Sequence, residues 1–113
     1  MGATIVKPAV KTVRFDRDTR IDPAARTTTA EFYGDASGAF KTGFWAAQPG
    51  QAAIDYGHDE LCVIIAGLVR VTDAAGHVET YRAGDTFLIP KGFKGVWETV
   101  EPVRKFYAVY KGR

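Results

Sequence analysis

The stretch from Glu60 to Gly92 constrains the fold of this chain more than any other. Its first half opens on a carboxylate and continues as the unbroken apolar run Leu61, Cys62, Val63, Ile64, Ile65 and Ala66 before Gly67. An apolar run of that length ending at a glycine fits a buried strand and is short for a helix. The second half repeats the plan, with Gly84 and Asp85 leading through Thr86, Phe87, Leu88 and Ile89 to Pro90, Lys91 and Gly92. A chain that twice sets a buried strand between glycine turns is expected to pack sheet against sheet.

The remaining sequence keeps the same cadence. Residues 40–47 read as a strand closed by Gln48-Pro49-Gly50, and 51–56 alternate up to Gly57. Strands are also expected over 68–72 and 78–81, joined by the hairpin turn Asp73-Ala74-Ala75-Gly76, over 95–100, and over 103–110 after a turn at Glu101-Pro102. Thr27 to Thr29 is a short β-branched run, and Tyr33-Gly34-Asp35 and Ser37-Gly38 are turn chemistry. No helical period competes with this pattern, so the expectation is at least eight short antiparallel strands in a sandwich or barrel, which leaves few exposed edges. Residues 1–26 form a lead-in in which Val10, Val13 and Phe15 alternate loosely with polar residues, an edge strand or one exchanged with a second subunit. Residues 27–113 form the single domain.

Composition removes several classes of partner. Fifteen Lys and Arg against 13 Asp and Glu leave a net charge of +2 with the signs interspersed. That pattern calls for neither nucleic acid nor an anionic membrane. The single cysteine, Cys62, lies within the most apolar strand and reads as a small core residue. With no apolar run of membrane-spanning length and no signal-peptide pattern, a cytoplasmic location is expected.

Gly43-Phe44-Trp45, Pro49-Gly50, Glu60 with Gly67, Val71-Thr72-Asp73 with Gly76, Gly84-Asp85, Pro90-Lys91-Gly92, Trp97 and Pro102-Val103-Arg104-Lys105 together resemble a small single-domain cupin. Within the cupins the likeness is to the ureidoglycine aminohydrolase cupin-domain group. The resemblance implies an all-β, double-stranded β-helix or jelly-roll barrel of the RmlC-like type. It also implies where a metal would bind, through two histidines and a glutamate of the first motif and one histidine of the second. Those positions fall at or beside Ile54 and Tyr56, on Glu60, and on Gly95, so only Glu60 remains. A catalytic metal needs about three protein ligands. The chain has two histidines, and His77 follows a hairpin turn that faces solvent. No metal ligand set and no cofactor are therefore expected, the alternative being His58 and Glu60 with Tyr56 or Asp55.

Strand residues two apart share a face. If Glu60 points into the barrel, as the resemblance implies, Tyr56, His58, Cys62 and Ile64 point there too, provided that Gly57 does not break the alternation. His58, Glu60 and Tyr56 are the candidate catalytic groups. Phe93 and Trp97 are candidate ligand-binding walls, with Gly95 between them leaving space. Arg104 and Lys105, adjacent and facing opposite ways, are the candidate basic partners of Glu60. Each has a plainer reading: a structural ion pair for Glu60, a strand end for His58, core packing for Phe93 and Trp97. Of Phe44 and Trp45, one is core and the other outward at a subunit interface. Three functions stay open: binding of a small polar metabolite in the barrel, an enzyme working by acid-base or weakly metal-assisted hydrolysis or isomerisation, and a structural or regulatory module. A homodimer is expected in each case.

Overall fold

The computed structural model describes residues 9–22 and 24–112. Residues 1–8 of the lead-in, Pro23 of the Asp22-Pro23 turn, and Arg113 lie outside the described residues. Among the described residues seven strands form: β1 (Thr27–Gly34), β2 (Phe40–Ala47), β3 (Gly50–Asp55), β4 (Asp59–Asp73), β5 (Val78–Arg82), β6 (Thr86–Ile89) and β7 (Lys94–Tyr110). All pairings are antiparallel, and no helix occurs among the described residues.

The count differs from the expected eight or more because two pairs of short strands are each one long strand, while the short run at Thr27 extends into a full strand, β1. β4 has 15 residues and β7 has 17, and they pair along nearly their whole length. Both run through two layers. The first layer is β1, β2, the second half of β7, the first half of β4, and β6. The second is β3, the first half of β7, the second half of β4, and β5.

The crossing between layers explains the apolar run. Burial alternates through Glu60, Cys62 and Ile64 with Leu61 exposed, then resumes on Val69 and Val71 with Arg70 exposed. The inward residues change from even to odd numbers across Ile65, Ala66 and Gly67, where the β4–β7 register slips three times. A bulge of this kind bends a strand and exchanges its faces. Here it lets both halves of β4 face one interior. Gly67 sits at the corner with φ of 96°.

Trp45 of the first layer meets Trp97 of the second edge to face at 5.5 Å, and Tyr81 stacks on Phe87 at 3.7 Å. Around them Cys62, Ile64, Val69, Val71, Ile89 and Val103 form the buried core. Asp85 caps the turn before β6 by accepting the Arg82 amide at 2.9 Å.

The lead-in differs from the expected edge strand, since residues 9–22 form no strand within this chain. They cross the outer face of the first layer, where Phe15 packs on Phe44 and Phe106 at centroid distances of 6.1 and 5.5 Å. Side-chain contacts, those of the Phe15 ring and an ion pair of Asp16 with Arg104, and not backbone pairing, hold the segment there.

Candidate functional site

The two layers part toward β1 and β3 and enclose a cavity of about 380 Å³. Glu60 stands on its floor, 7% exposed, and accepts a hydrogen bond from Lys105 Nζ at 2.6 Å. The Cys62 thiol donates to the same carboxylate oxygen, Oε2, at 3.2 Å. On the other side His58 Nε2 lies 3.5 Å from Oε1, and the Tyr56 ring packs on the His58 ring at 4.9 Å. Lys105, itself 5% exposed, is held between two indoles, with Nζ 4.8 Å from the Trp45 centroid and 4.4 Å from that of Trp97. Each face attracts the ammonium, an interaction reaching about 2 kcal/mol when desolvated. Trp97 Nε1 donates to Thr99 Oγ1 at 3.0 Å, so the indole is fixed in plane.

Burial alone would raise the Glu60 carboxyl, but the Lys105 charge and hydrogen bond, helped by Cys62 and His58, outweigh it and hold Glu60 below the usual carboxylate range. Burial, with the Glu60 charge next, pushes the Tyr56 phenol well up, so Tyr56 can donate a proton in hydrogen bonds but cannot serve as a base. Burial likewise pushes the Cys62 thiol up to about 12, with Lys105 opposing and Glu60 reinforcing, which leaves it a neutral donor and not a nucleophile. The pH consequence follows from Glu60. Its folded pKa lies below the unfolded value near 4.5, so the unfolded chain binds more protons in between, and stability is full above that value and falls as pH drops through the folded one. Urea midpoints measured down the acid limb should show that fall, and the limb should be shallower in Glu60→Gln. An equally steep limb in the variant would assign the loss to other carboxylates.

The structure brings together Tyr56, His58, Glu60, Trp97 and Lys105. It does not bring in Arg104. One residue out of phase with Lys105, Arg104 lies on the outer face of β7, over the Phe44 ring at 4.4 Å and 3.4 Å from Asp16 of the lead-in. Phe93 is also elsewhere. It precedes β7, packs on the core from below, and lines a smaller cavity with Val71, Phe87 and Ile89. Gly95 opens no space, because a Cβ there would meet the Thr72 carbonyl oxygen and the Phe93 ring. His77 is exposed and paired with Glu79 at 2.8 Å.

The lining also includes residues that the sequence did not single out as a site: Trp45, Lys41, Tyr107, Lys111, Arg26 and Thr29. Period-two continuation from Lys105 to Tyr107 and Lys111, and from Trp45 back to Lys41, is the signal that would have found most of them.

Among the described residues no three His, Cys, Asp or Glu side chains are grouped to hold a metal ion. The donors near Glu60 do not suit one either. Of the positions where the cupin resemblance implies ligands, Ile54 and Gly95 offer no donor side chain and Tyr56 is a neutral phenol. The Glu60 carboxylate already carries an ammonium at 2.6 Å. Lys105 supplies the positive charge that a metal would bring.

The sequence profile of the EutQ-like cupin domain matches residues 34–107. The chain belongs to the EutQ-like cupin domain family. In three dimensions this cupin is similar to an ethanolamine utilization protein Q of Salmonella typhimurium LT2, with a TM-score of 0.70 and 21% identity over 80% of this chain and 74% of that one. It is similar also to the EutQ protein of Clostridium difficile, with a TM-score of 0.67 and 18% identity over 82% and 70% of the two chains. At such identities these likenesses carry the fold alone. A DUF861 family protein of Thermotoga maritima is 34% identical over 57% of this chain and 73% of its own, with a TM-score of 0.55. A search among curated proteins finds no significant match. These matches bear out the cupin fold and lend no support to the finer likeness to ureidoglycine aminohydrolases.

Proposed function

We propose that this EutQ-like cupin binds a small polar metabolite in its barrel, held between the two indoles and the His58–Glu60–Lys105 group. One observation carries the reading: a buried, fully paired Lys105–Glu60 dyad borders an open cavity of about 380 Å³ instead of being packed over by core side chains. Small-molecule sites are of this size and make-up, apolar walls with a few placed polar groups. The test is a melting screen against a metabolite library. A ligand at one hundred times its Kd should stabilise the protein by about 2.7 kcal/mol, a shift of several degrees. Trp45→Leu should reduce that shift, and a library of polar metabolites that leaves the melting temperature unmoved would sink the reading.

A second reading rests on His58, which lies 3.5 Å from Glu60 and is only partly buried. A histidine oriented by a carboxylate and open to a cavity can exchange protons with a bound substrate. Acid-base hydrolysis or isomerisation, of the kind that the aminohydrolase resemblance suggested, then takes His58 as the proton carrier, Glu60 as its orienting group and Tyr56 as a hydrogen-bond donor. Loss of turnover in His58→Gln with ligand binding retained would favour this reading over binding alone.

A further inference from the structure

We infer that the ligand of this cavity is an organic anion, a carboxylate or a phosphate ester, anchored at the end where Lys41 and Lys111 stand. The inference rests on the binding reading above and adds the ligand's charge.

Among the described residues, four basic side chains line the cavity, Arg26, Lys41, Lys105 and Lys111, against the one carboxylate of Glu60. Lys105 and Glu60 neutralise each other on the floor. That leaves three cations in one cavity of a chain whose whole net charge is only +2, so basic charge is concentrated there and not spread evenly. Arg26, Lys41 and Lys111 have no acidic partner among the described residues. Glu31 of β1 pairs with Gly43 and so shares a face with Lys41 and Trp45, and its charge reaches Tyr107. It forms no ion pair with Lys41, however, and its carboxylate lies by the backbone at Gly34, outside the cavity lining.

The register places these charges. Lys41 is paired with Val109, and Lys111 follows two residues on, its amide bonded to the Ala39 carbonyl. The two lysines are therefore diagonal neighbours on one face, within about 7–8 Å at the backbone. Val109 is in turn paired with Glu60, so the row Lys41, Val109, Glu60 runs across three strands toward His58. Arg26 stands at the other end, its carbonyl accepting the Gln48 amide. Two uncompensated like charges side by side repel each other until an anion sits between them, and a cleft with apolar walls focuses their field. Trp45 and Trp97 then face the flat or apolar part of the same molecule, with the Thr29 and Thr99 hydroxyls along the way. The same field opposes entry of a free metal cation, which agrees with the donor set on the floor.

The test uses small aromatic probes and the indole N–H signals of the chain's two tryptophans, Trp45 and Trp97. Benzoate, phenyl phosphate and the neutral benzamide are titrated in turn into the labelled protein. The expected result is that both anions shift the indole signals and bind at least about tenfold more tightly than benzamide, a preference weakened by added salt. The Lys41→Gln, Lys111→Gln double variant should lose about tenfold in affinity for the anions and little for benzamide, while Lys94→Gln on the outer surface changes neither. A preference for phenyl phosphate or for benzoate would name the acid group, and either supports the inference. Equal binding of benzamide and the anions, insensitive to salt, would overturn the anion inference and leave the cavity as a binding site. Silence of both indoles toward all three probes would overturn both. The salt titration on the unmodified protein keeps the test decisive if the double variant does not fold.

Discussion

Lys105→Met is expected to lower the stability of this cupin by about 3–5 kcal/mol, the usual effect of removing one partner from a buried ion pair. The side chain that remains, Glu60, is 7% exposed and loses its donor at 2.6 Å. What is left to it is the Cys62 thiol at 3.2 Å, His58 at 3.5 Å and the Tyr56 phenol, none a substitute for an ammonium. The carboxyl then escapes an uncompensated buried charge by taking up a proton, at the expense of folding free energy near neutral pH. A domain stable by some 5–15 kcal/mol would lose a large part of its margin. Adding Glu60→Gln to Lys105→Met removes the orphaned charge and should restore most of the loss, since a neutral pair of similar volume replaces an ion pair at little net cost. Urea denaturation with unchanged slope would measure both steps. A single variant within about 1 kcal/mol of the parent would show that water or another group reaches Glu60, contrary to the burial seen here. The double variant has a second use. If it folds yet no longer binds ligand, the dyad is retained for recognition and not for stability, which is what its place on the cavity floor argues.

What the sequence disclosed about this site, and what it withheld, follows from strand phase. Glu60 was readable as inward because period-two alternation holds from it to Ile64, whereas Tyr56 and His58 reach the same cavity from the bend between β3 and β4 at Gly57, where no strand alternation applies. Beyond Ile64 the residues Ile65 and Ala66 are apolar as well, so the exchange of faces at the bulge leaves no mark on the residue pattern. One strand therefore read as two. Lys105 could not be chosen over Arg104 for a related reason. The Glu101-Pro102 bend interrupts β7, and only the register shows that its inward residues stay in phase across it, from Trp97 and Thr99 to Val103 and Lys105. Trp45 was ambiguous because Phe44 beside it is equally apolar. Its partner Trp97, 52 positions later, belongs to the other layer, a contact that no local pattern contains. Lys41 and Lys111 were passed over because a lysine at a strand end ordinarily means solvent. The lead-in was read as an edge or exchanged strand from alternation alone, whereas within this chain the half-exposed Phe15 ring meets Phe44 and Phe106 and Asp16 meets Arg104.

Gly67→Ala is expected to cost about 2–5 kcal/mol, more than its backbone angle alone explains, and the comparison that shows this is Gly84→Ala. The two glycines have nearly the same φ, 96° and 95°. For each, an alanine side chain in the left-handed region costs about 1–2 kcal/mol. Around Gly84 a Cβ would meet nothing within 4 Å, so that term should be the whole effect. At Gly67 a Cβ would run into the Pro102 carbonyl oxygen and come within 2.7 Å of Val103 Cα, both backbone atoms of the strand bend opposite. Backbone cannot rotate out of the way as a side chain can, so β7 must shift. The excess of the first substitution over the second, about 1–3 kcal/mol by urea denaturation, measures how closely the two long strands cross. The same shift has a reach into the site. Val103 is wholly buried and two residues from Lys105, so moving it carries the ammonium away from Glu60 and from between the indoles. Folded Gly67→Ala protein should therefore bind the anionic probes more weakly than Gly84→Ala protein does. Equal losses of stability in the two variants would mean that the corner tolerates a side chain, and the close crossing of β4 and β7 would then not be what sets the cavity floor.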